Sequence, residues 1–273
     1  MTRTEMTRTQ PRRIGAAGRM RDSARLFAAL MAVVALVLTA CGGSNDDDSS
    51  GEITIFAAAS LQGSFDDLAK AFTDAEPDYR VAPIAYDGSQ ALAKQIVEGA
   101  DVDVIAFANE SSLEPVTEAG LSGKGDIFAT NTLQIAVAPG NPKNIKTLAD
   151  LAKPGTTTVL CAPEVPCGSA SQKLLKTAGV NVDPVSQETN VTSVVTRVAN
   201  GEADAGLVYA TDVAASDGKL EGVTPPNAED AVNRYPIAVP DDAPSPEAGK
   251  AFRDFVLSEA GQKILRQYGF GPA

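Results

Sequence analysis

The 273-residue sequence has no histidine and no tryptophan, only three cysteines, and aromatic residues make up just 5% of it. Without histidine the chain lacks the usual general base, the Ser-His-Asp triad and most zinc chemistry. Basic residues are also scarce: 23 Lys and Arg stand against 35 Asp and Glu, a formal net charge of −12. This acidity argues against a nucleic-acid partner. It also repels anions at long range, so any anion site must work through local dipoles. Long apolar runs are missing except for Leu26–Ala40, whose 15 residues fall short of the about 20 that span a membrane.

That run belongs to a targeting segment and not to the fold. Seven arginines precede it, at positions 3, 8, 12, 13, 19, 21 and 25, and it leads into Leu38-Thr39-Ala40-Cys41. The ending resembles a bacterial lipobox. Residues 1–40 then read as a lipoprotein signal peptide, and Cys41 as the lipidated new N-terminus. An ordinary secretory cleavage site or a single-pass anchor are the alternatives. Arg12-Arg13 lies too far from the apolar run to read as a twin-arginine signal, and Met1, Met6 and Met20 all remain candidate starts. Residues 41–51 carry the lipid site and a Gly/Ser/Asp stretch that reads as a flexible, solvated tether; the Asp46-Asp47-Asp48 run there is a solvating charge run and not a metal site. A domain held by lipid at the outer face of a membrane is the expectation. With seven arginines and two acids, Glu5 and Asp22, set aside, the remaining chain keeps 16 basic and 33 acidic residues, a net −17.

Cys161 and Cys167 remain. An even pair in an exported protein reads as a disulfide, with free thiols as the alternative. The five-residue loop Ala162–Pro166 between them contains two prolines. There is no Cys-x-x-Cys motif, and two sulfurs without His make a poor metal site, so no metal and no cofactor are expected.

Strand-like runs at Ile53–Ala57, Arg80–Ile84, Val102–Ala108, Leu133–Ala138, Thr157–Cys161, Ala205–Val208 and Tyr235–Val239 alternate with helix-like runs at Gly63–Asp74, Ser89–Glu98, Leu113–Ala119, Leu148–Ala152, Ser169–Ala178, Val191–Asn200 and Pro246–Tyr268. Alternation of this kind predicts an α/β fold with mainly parallel strands. Thr130–Gln134 and Asn233–Pro236 read as two crossings. They would divide the chain into a first lobe, 52–130 plus 236–273, and a second lobe, 131–235, an arrangement suited to hinge bending.

Four expected helix starts carry small or polar residues: Ala59-Ser60-Leu61, Asp87-Gly88-Ser89-Gln90, Val165-Pro166-Cys167-Gly168 and Thr189-Asn190-Val191-Thr192. A fifth element, Gly206-Leu207-Val208-Tyr209, ends a strand in a phenol. Taken alone, Ser60 and Ser89 read as helix caps and Tyr209 as a strand-end core residue. Together they fall beyond the carboxyl ends of strands, where α/β sheets collect ligands. Convergent N–H and O–H donors with no Arg or Lys among them describe a cage for a fully ionised anion.

These segments, with Ile55-Phe56-Ala57-Ala58-Ala59-Ser60-Leu61, Gly88-Ser89-Gln90-Ala91-Leu92-Ala93-Lys94-Gln95-Ile96 and the ending Gln267-Tyr268-Gly269-Phe270, resemble the molybdate-binding proteins of molybdate ABC transporters, from about Glu52 to Phe270. The resemblance implies a two-lobed periplasmic-binding-protein type II fold, each lobe a mainly parallel sheet flanked by helices, with the ligand in the cleft. It implies hydroxyl and amide donors from Ser60 and Ser89, backbone N–H from Cys167 and Val191, and the hydroxyl of Tyr209. It further implies molybdate or tungstate as ligand, ABC permease subunits as partners, a monomer and no catalysis. Cys167 departs from the Ala common at that place; the expected contribution is its amide, so the side chain is free to differ. Asp87 and Asp212 are the only carboxylates close in sequence to these donors; if both point away, a protonated oxyanion such as phosphate finds no acceptor. Rival classes are a binder of another oxyanion such as sulfate, a structural lipoprotein, and a serine hydrolase. The hydrolase lacks an activating partner for Ser60, and Asp101 with Asp103 reads as an exposed or edge pair.

Overall fold

The structure, a computed structural model, describes residues 51–273. The expected signal segment 1–40, the lipidation at Cys41 and the tether as far as residue 50 lie outside the described residues. The chain opens with β1 (Glu52–Ile53) and β2 (Ile55–Ala58), passes through a 3-10 turn at Ala59–Leu61, and continues into α1 (Gln62–Ala75). There follow β3 (Arg80–Val81), β4 (Ala85–Asp87), α2 (Ser89–Val97), β5 (Val104–Ala106), α3 (Glu114–Glu118) and β6 (Asp126–Asn131). Beyond Thr132 come β7 (Leu133–Val137), β8 (Thr158–Cys161), α4 (Pro166–Thr177), β9 (Ser186–Glu188), α5 (Val191–Ala199), β10 (Ala205–Tyr209), α6 (Ala210–Ala214) and β11 (Glu221–Val223). Then β12 (Asn233–Ala238) returns to the first sheet, and α7 (Pro246–Leu257) and α8 (Glu259–Gln267) pack on it.

Two five-stranded sheets result, ordered β4-β2-β5-β12-β6 and β11-β7-β10-β8-β9. In each, four strands run one way and one runs against them: β12 in the first and β7 in the second. These are the strands on which the chain has just crossed between lobes. A crossing strand enters its new sheet from the end where the old one stops, so it runs opposite to the other strands of that sheet. The result is the expected two-lobed, mainly parallel architecture.

The cores of the two lobes differ. Phe65, Leu68 and Phe72 of α1 are fully buried, as their helical spacing predicts. They meet Phe128, Phe252 and Phe255 in a lattice of tilted and edge-on rings. The second lobe is packed with Val, Leu, Ile and Ala; between Leu133 and Val223 the sequence holds one aromatic residue, Tyr209.

Several boundaries differ from expectation for local reasons. Arg80–Ile84 yields only the two residues of β3, because Pro83 has no N–H to continue a ladder. Helix α4 begins at Pro166 and not Ser169, since proline at the first helical position gives up only an amide that has no partner there. The single helix expected over Pro246–Tyr268 breaks at Ser258, whose extended backbone and Oγ, accepting from Gly261 N–H at 3.3 Å, start α8 afresh. β12 joins the first sheet from Asn233, paired with Asn131, ahead of the return expected at residue 236, and Pro236 is accommodated at a bulge after Tyr235. Strands β4, β6, β9 and β11 were not expected; Ser186-Gln187-Glu188 carries no apolar alternation at all. The Asp101/Asp103 pair is also corrected. Asp101 is exposed, but Asp103 is buried and accepts the N–H groups of Thr54 at 2.8 Å and Ser245 at 2.5 Å, so it ties strands to the start of α7.

Phe72 stacks on Tyr79 at 5.8 Å and meets Phe252 and Phe255 edge-on at 5.3 and 5.6 Å. Phe72→Ala should therefore lower unfolding free energy by about 3–5 kcal/mol. Urea denaturation measures this, and an unshifted midpoint would contradict the packing described.

Candidate functional site

Each expected donor sits at or just past the carboxyl end of a strand. β2 leads to Ser60, β4 to Ser89, β8 through the cysteine loop to Cys167, and β9 to Val191, while Tyr209 is the last residue of β10. All five line one cavity, with the small residues Ala58, Ala59 and Gly88 forming wall between them. Its volume is about 10 Å³, about the room that one water-sized species needs. No Lys or Arg lines it, and Asp87 is the one carboxylate that does.

Helix N-termini supply much of the polarity. The first amides of a helix have no intrahelical acceptor, and the helix dipole makes that end positive. Side chains such as Ser or Asp ordinarily cap them. Here α2 and α4 begin after Gly88 and Val165 with no side-chain cap, which leaves their amides uncapped at the cavity. At α5, Asn190 Oδ1 takes the Ser193 N–H at 3.0 Å and leaves that of Val191.

The two serines are not caps. Ser89 lies inside α2, and its Oγ accepts the N–H of Ala108 at 3.0 Å, so its proton is free to turn elsewhere. Ser60 lies in the 3-10 turn, and its Oγ shares a 3.1 Å hydrogen bond with the Tyr235 hydroxyl. Tyr209 is 1% exposed and Tyr235 fully buried. Burial lifts the phenol of Tyr209 well above its ordinary range and raises that of Tyr235 too, so both keep their protons. Cys167 is bonded through sulfur to Cys161, with Cα atoms 5.8 Å apart, and its amide lies in the first turn of α4. A Cβ at Gly168 would collide with the Ala162 carbonyl, so this tight loop demands glycine there.

The lobes meet along a seam beside the cavity. Asp87 Oδ1 accepts the N–H of Gly88 at 2.7 Å and, from the other lobe, Asn190 Nδ2 at 3.0 Å. Gln90 Nε2 donates to the Thr189 carbonyl at 2.9 Å. A Cβ on Gly88 would strike that carbonyl, so glycine is what permits the approach. Asp87 therefore does not point away from the cavity; it lines it, with one oxygen engaged by the seam. Sequence reasoning also missed Tyr235 and Asn233, which stand behind Ser60 and Tyr209. The scarcity of aromatic residues in the second lobe was an available signal for Tyr209.

Comparison with known proteins gives the family and the fold. Residues 53–271 match the bacterial extracellular solute-binding protein family. The chain belongs to that family. Among curated relatives, the molybdate-binding protein ModA of Mycobacterium tuberculosis H37Rv is 41% identical over 241 residues, covering 85% of this chain and 92% of the relative. Among solved structures, the sulfate-binding protein SubI of the same organism superposes with a TM-score of 0.73 at 24% identity, covering 82% of this chain and 87% of that one. The Azotobacter vinelandii periplasmic molybdate-binding protein gives 0.70 at 20% identity, covering 81% and 99%. Both structural likenesses establish the fold. Members of this family bind solutes outside the cytoplasm and are not enzymes. Among the described residues no group of His, Cys, Asp or Glu could hold a metal ion, and no helix is long and apolar enough to cross a membrane.

Asp212 sits behind Tyr209. Desolvation raises its carboxyl to about 7, opposed by the Tyr209 N–H that it accepts at 2.9 Å. A carboxyl raised in the fold binds its proton there while the unfolded chain has released it. Its contribution to stability is thus full below its ordinary value of 3.8 and is lost as pH rises to about 7. Asp212→Asn keeps an acceptor for that amide and removes the titration. The stability of wild type relative to Asp212→Asn should fall between pH 4 and pH 7; denaturation across that range measures it, and a constant difference would contradict the assignment.

Proposed function

We propose that this chain captures molybdate, and tungstate alike, between its two lobes and delivers it to ABC permease subunits, acting as a monomer held outside the cell membrane by lipid on Cys41. The lobes are 52–130 plus 236–273 and 131–235. The observation that carries the proposal is the convergence of Ser60, Ser89, Cys167, Val191 and Tyr209 from both lobes on one cavity without a cation. Ser60, Ser89 and Tyr209 offer hydroxyl protons, and Cys167 and Val191 offer amides at helix starts. A cage of donors suits a tetrahedral dianion that carries no proton; Asp87 is the one group on the wall able to accept the O–H of a protonated oxyanion. The 41% identity to a protein named for molybdate supports the choice of ion. Sulfate, which is smaller, is the second reading; the superposition on SubI keeps it in the test.

Calorimetry on the purified protein should give one molybdate per chain, equal binding of tungstate and much weaker sulfate. Sulfate displacing molybdate at equal concentration would move the protein to the second reading. Tyr209→Phe and Ser60→Ala each remove a hydrogen bond to a charged group, worth about 1.5–3 kcal/mol, so each should weaken molybdate about 10- to 150-fold. Cys167→Ala keeps the amide and should lose less.

The proposal also places Cys161 and Cys167 in an oxidising compartment as a disulfide that stiffens the loop before α4. Thiol reagents added to denatured, unreduced protein should label neither cysteine. Labelling of both would show that the exported protein carries thiols.

A further inference from the structure

The role of Asn233 rests on the oxyanion reading, in which Tyr209 is a donor. A phenol has one proton and can equally turn it away from a ligand. Its hydrogen-bond neighbours, Asn233 and Tyr235, limit the choice. Asn233, the first residue of β12, is buried, and its Nδ2 donates to the Tyr209 hydroxyl oxygen at 2.7 Å. The same Nδ2 lies 3.3 Å from the carbonyl of Pro166. That carbonyl can only accept, so it fixes which end of the amide faces this way: an Oδ1 there would meet it oxygen to oxygen. Both protons of the amide are thus committed, one to Pro166 and one to Tyr209. With its oxygen accepting from Asn233, Tyr209 has two places left to send its proton, the Tyr235 hydroxyl beside it and an anion in the cleft. Tyr209 lines the cavity and Asn233 does not.

We infer that Asn233 is a positioning residue of the anion site, holding the Tyr209 hydroxyl so that its proton faces the cleft. It touches no ligand itself. Ser89 is treated in the same way, since the Ala108 N–H fills its oxygen from behind. Asn233 adds a link that Ala108 lacks. Through Pro166 it also holds the start of α4, next to the amide of Cys167, so one side chain on the returning strand aligns two donors.

A double-mutant cycle with molybdate as the probe tests this. Asn233→Ala should weaken binding about 10-fold or more, the loss of an aimed hydrogen bond to a charge. Asn233→Asp, of nearly the same shape, should weaken it further, because a carboxylate accepts the phenol proton and draws it from the cleft. In the Tyr209→Phe background there is no proton to aim, so Asn233→Ala should cost at most about 3-fold more, the coupling appearing as non-additivity. Unfolding temperatures verify that each variant is folded, and if the alanine variant is not, the aspartate variant carries the cycle alone. Wild-type affinity in either single variant, or the same loss with and without the Tyr209 hydroxyl, would overturn the inference while leaving the oxyanion reading intact. Wild-type protein that binds no oxyanion would overturn both.

Discussion

A hydroxyl has one proton, and the direction of that proton decides whether a cleft without a cation can hold an anion. The protein outside residues 1–40 carries a net −17, so long-range electrostatics work against capture. Attraction must come from within a few ångströms, from N–H and O–H groups that already point inward. Water can reorient around an ion; these groups are held fixed. Uncapped starts of α2 and α4 leave amides aimed by the helices. Backbone or side-chain N–H groups behind Ser89 and Tyr209 fill their oxygens. Burial keeps the phenols protonated. None of these devices adds a charge, so the cleft does not fill with counter-ions of its own.

The topology places the devices. Because every βα unit in either sheet runs the same way, all their carboxyl ends face the cleft. Only β7 and β12 run against the rest, and these follow the two crossings. Asn131 and Asn233 pair across the crossings, and both reach buried hydroxyls: Asn131 donates to Thr211 at 2.8 Å and Asn233 to Tyr209 at 2.7 Å. The place where the lobes join is therefore chemically continuous with the place where donors are aimed.

Much of this was legible in the sequence, and unevenly so. Strand–helix alternation gave the layers, because Ile53–Ala57 and the Phe65, Leu68, Phe72 stripe obey simple periods. Small residues beside some donors marked close approaches: Gly88, before Ser89, and Gly168, after Cys167, are places where a Cβ would strike a carbonyl. Polar strands such as Ser186–Glu188 were invisible because they pair at a sheet edge and bury little. The shell behind the donors was also invisible. Tyr235 meets Ser60 across 175 residues of sequence, and no local pattern encodes a contact of that separation. The direction of Asp87 stayed open for a related reason: its role as acceptor depends on Asn190, in the other lobe.

That seam bears on affinity as well as shape. Donors from two lobes can meet one ion only when the lobes are together, so on the proposed function the ion favours closure by the difference between its contacts in the two states. The contacts of Asp87 with Asn190 and of Gln90 with Thr189 favour closure without any ion. They raise the fraction of chains already competent to bind, and apparent affinity rises with that fraction. Two features oppose them. Gln90 Oε1 is buried with no partner, a cost that opening relieves. The Asp87 carboxylate sits on the wall of a site for anions, where it repels what the donors attract. On the proposed function, one incomplete amide and one repelling carboxylate at the seam weaken closure without the ion, so closure depends on the contacts made to the ion itself.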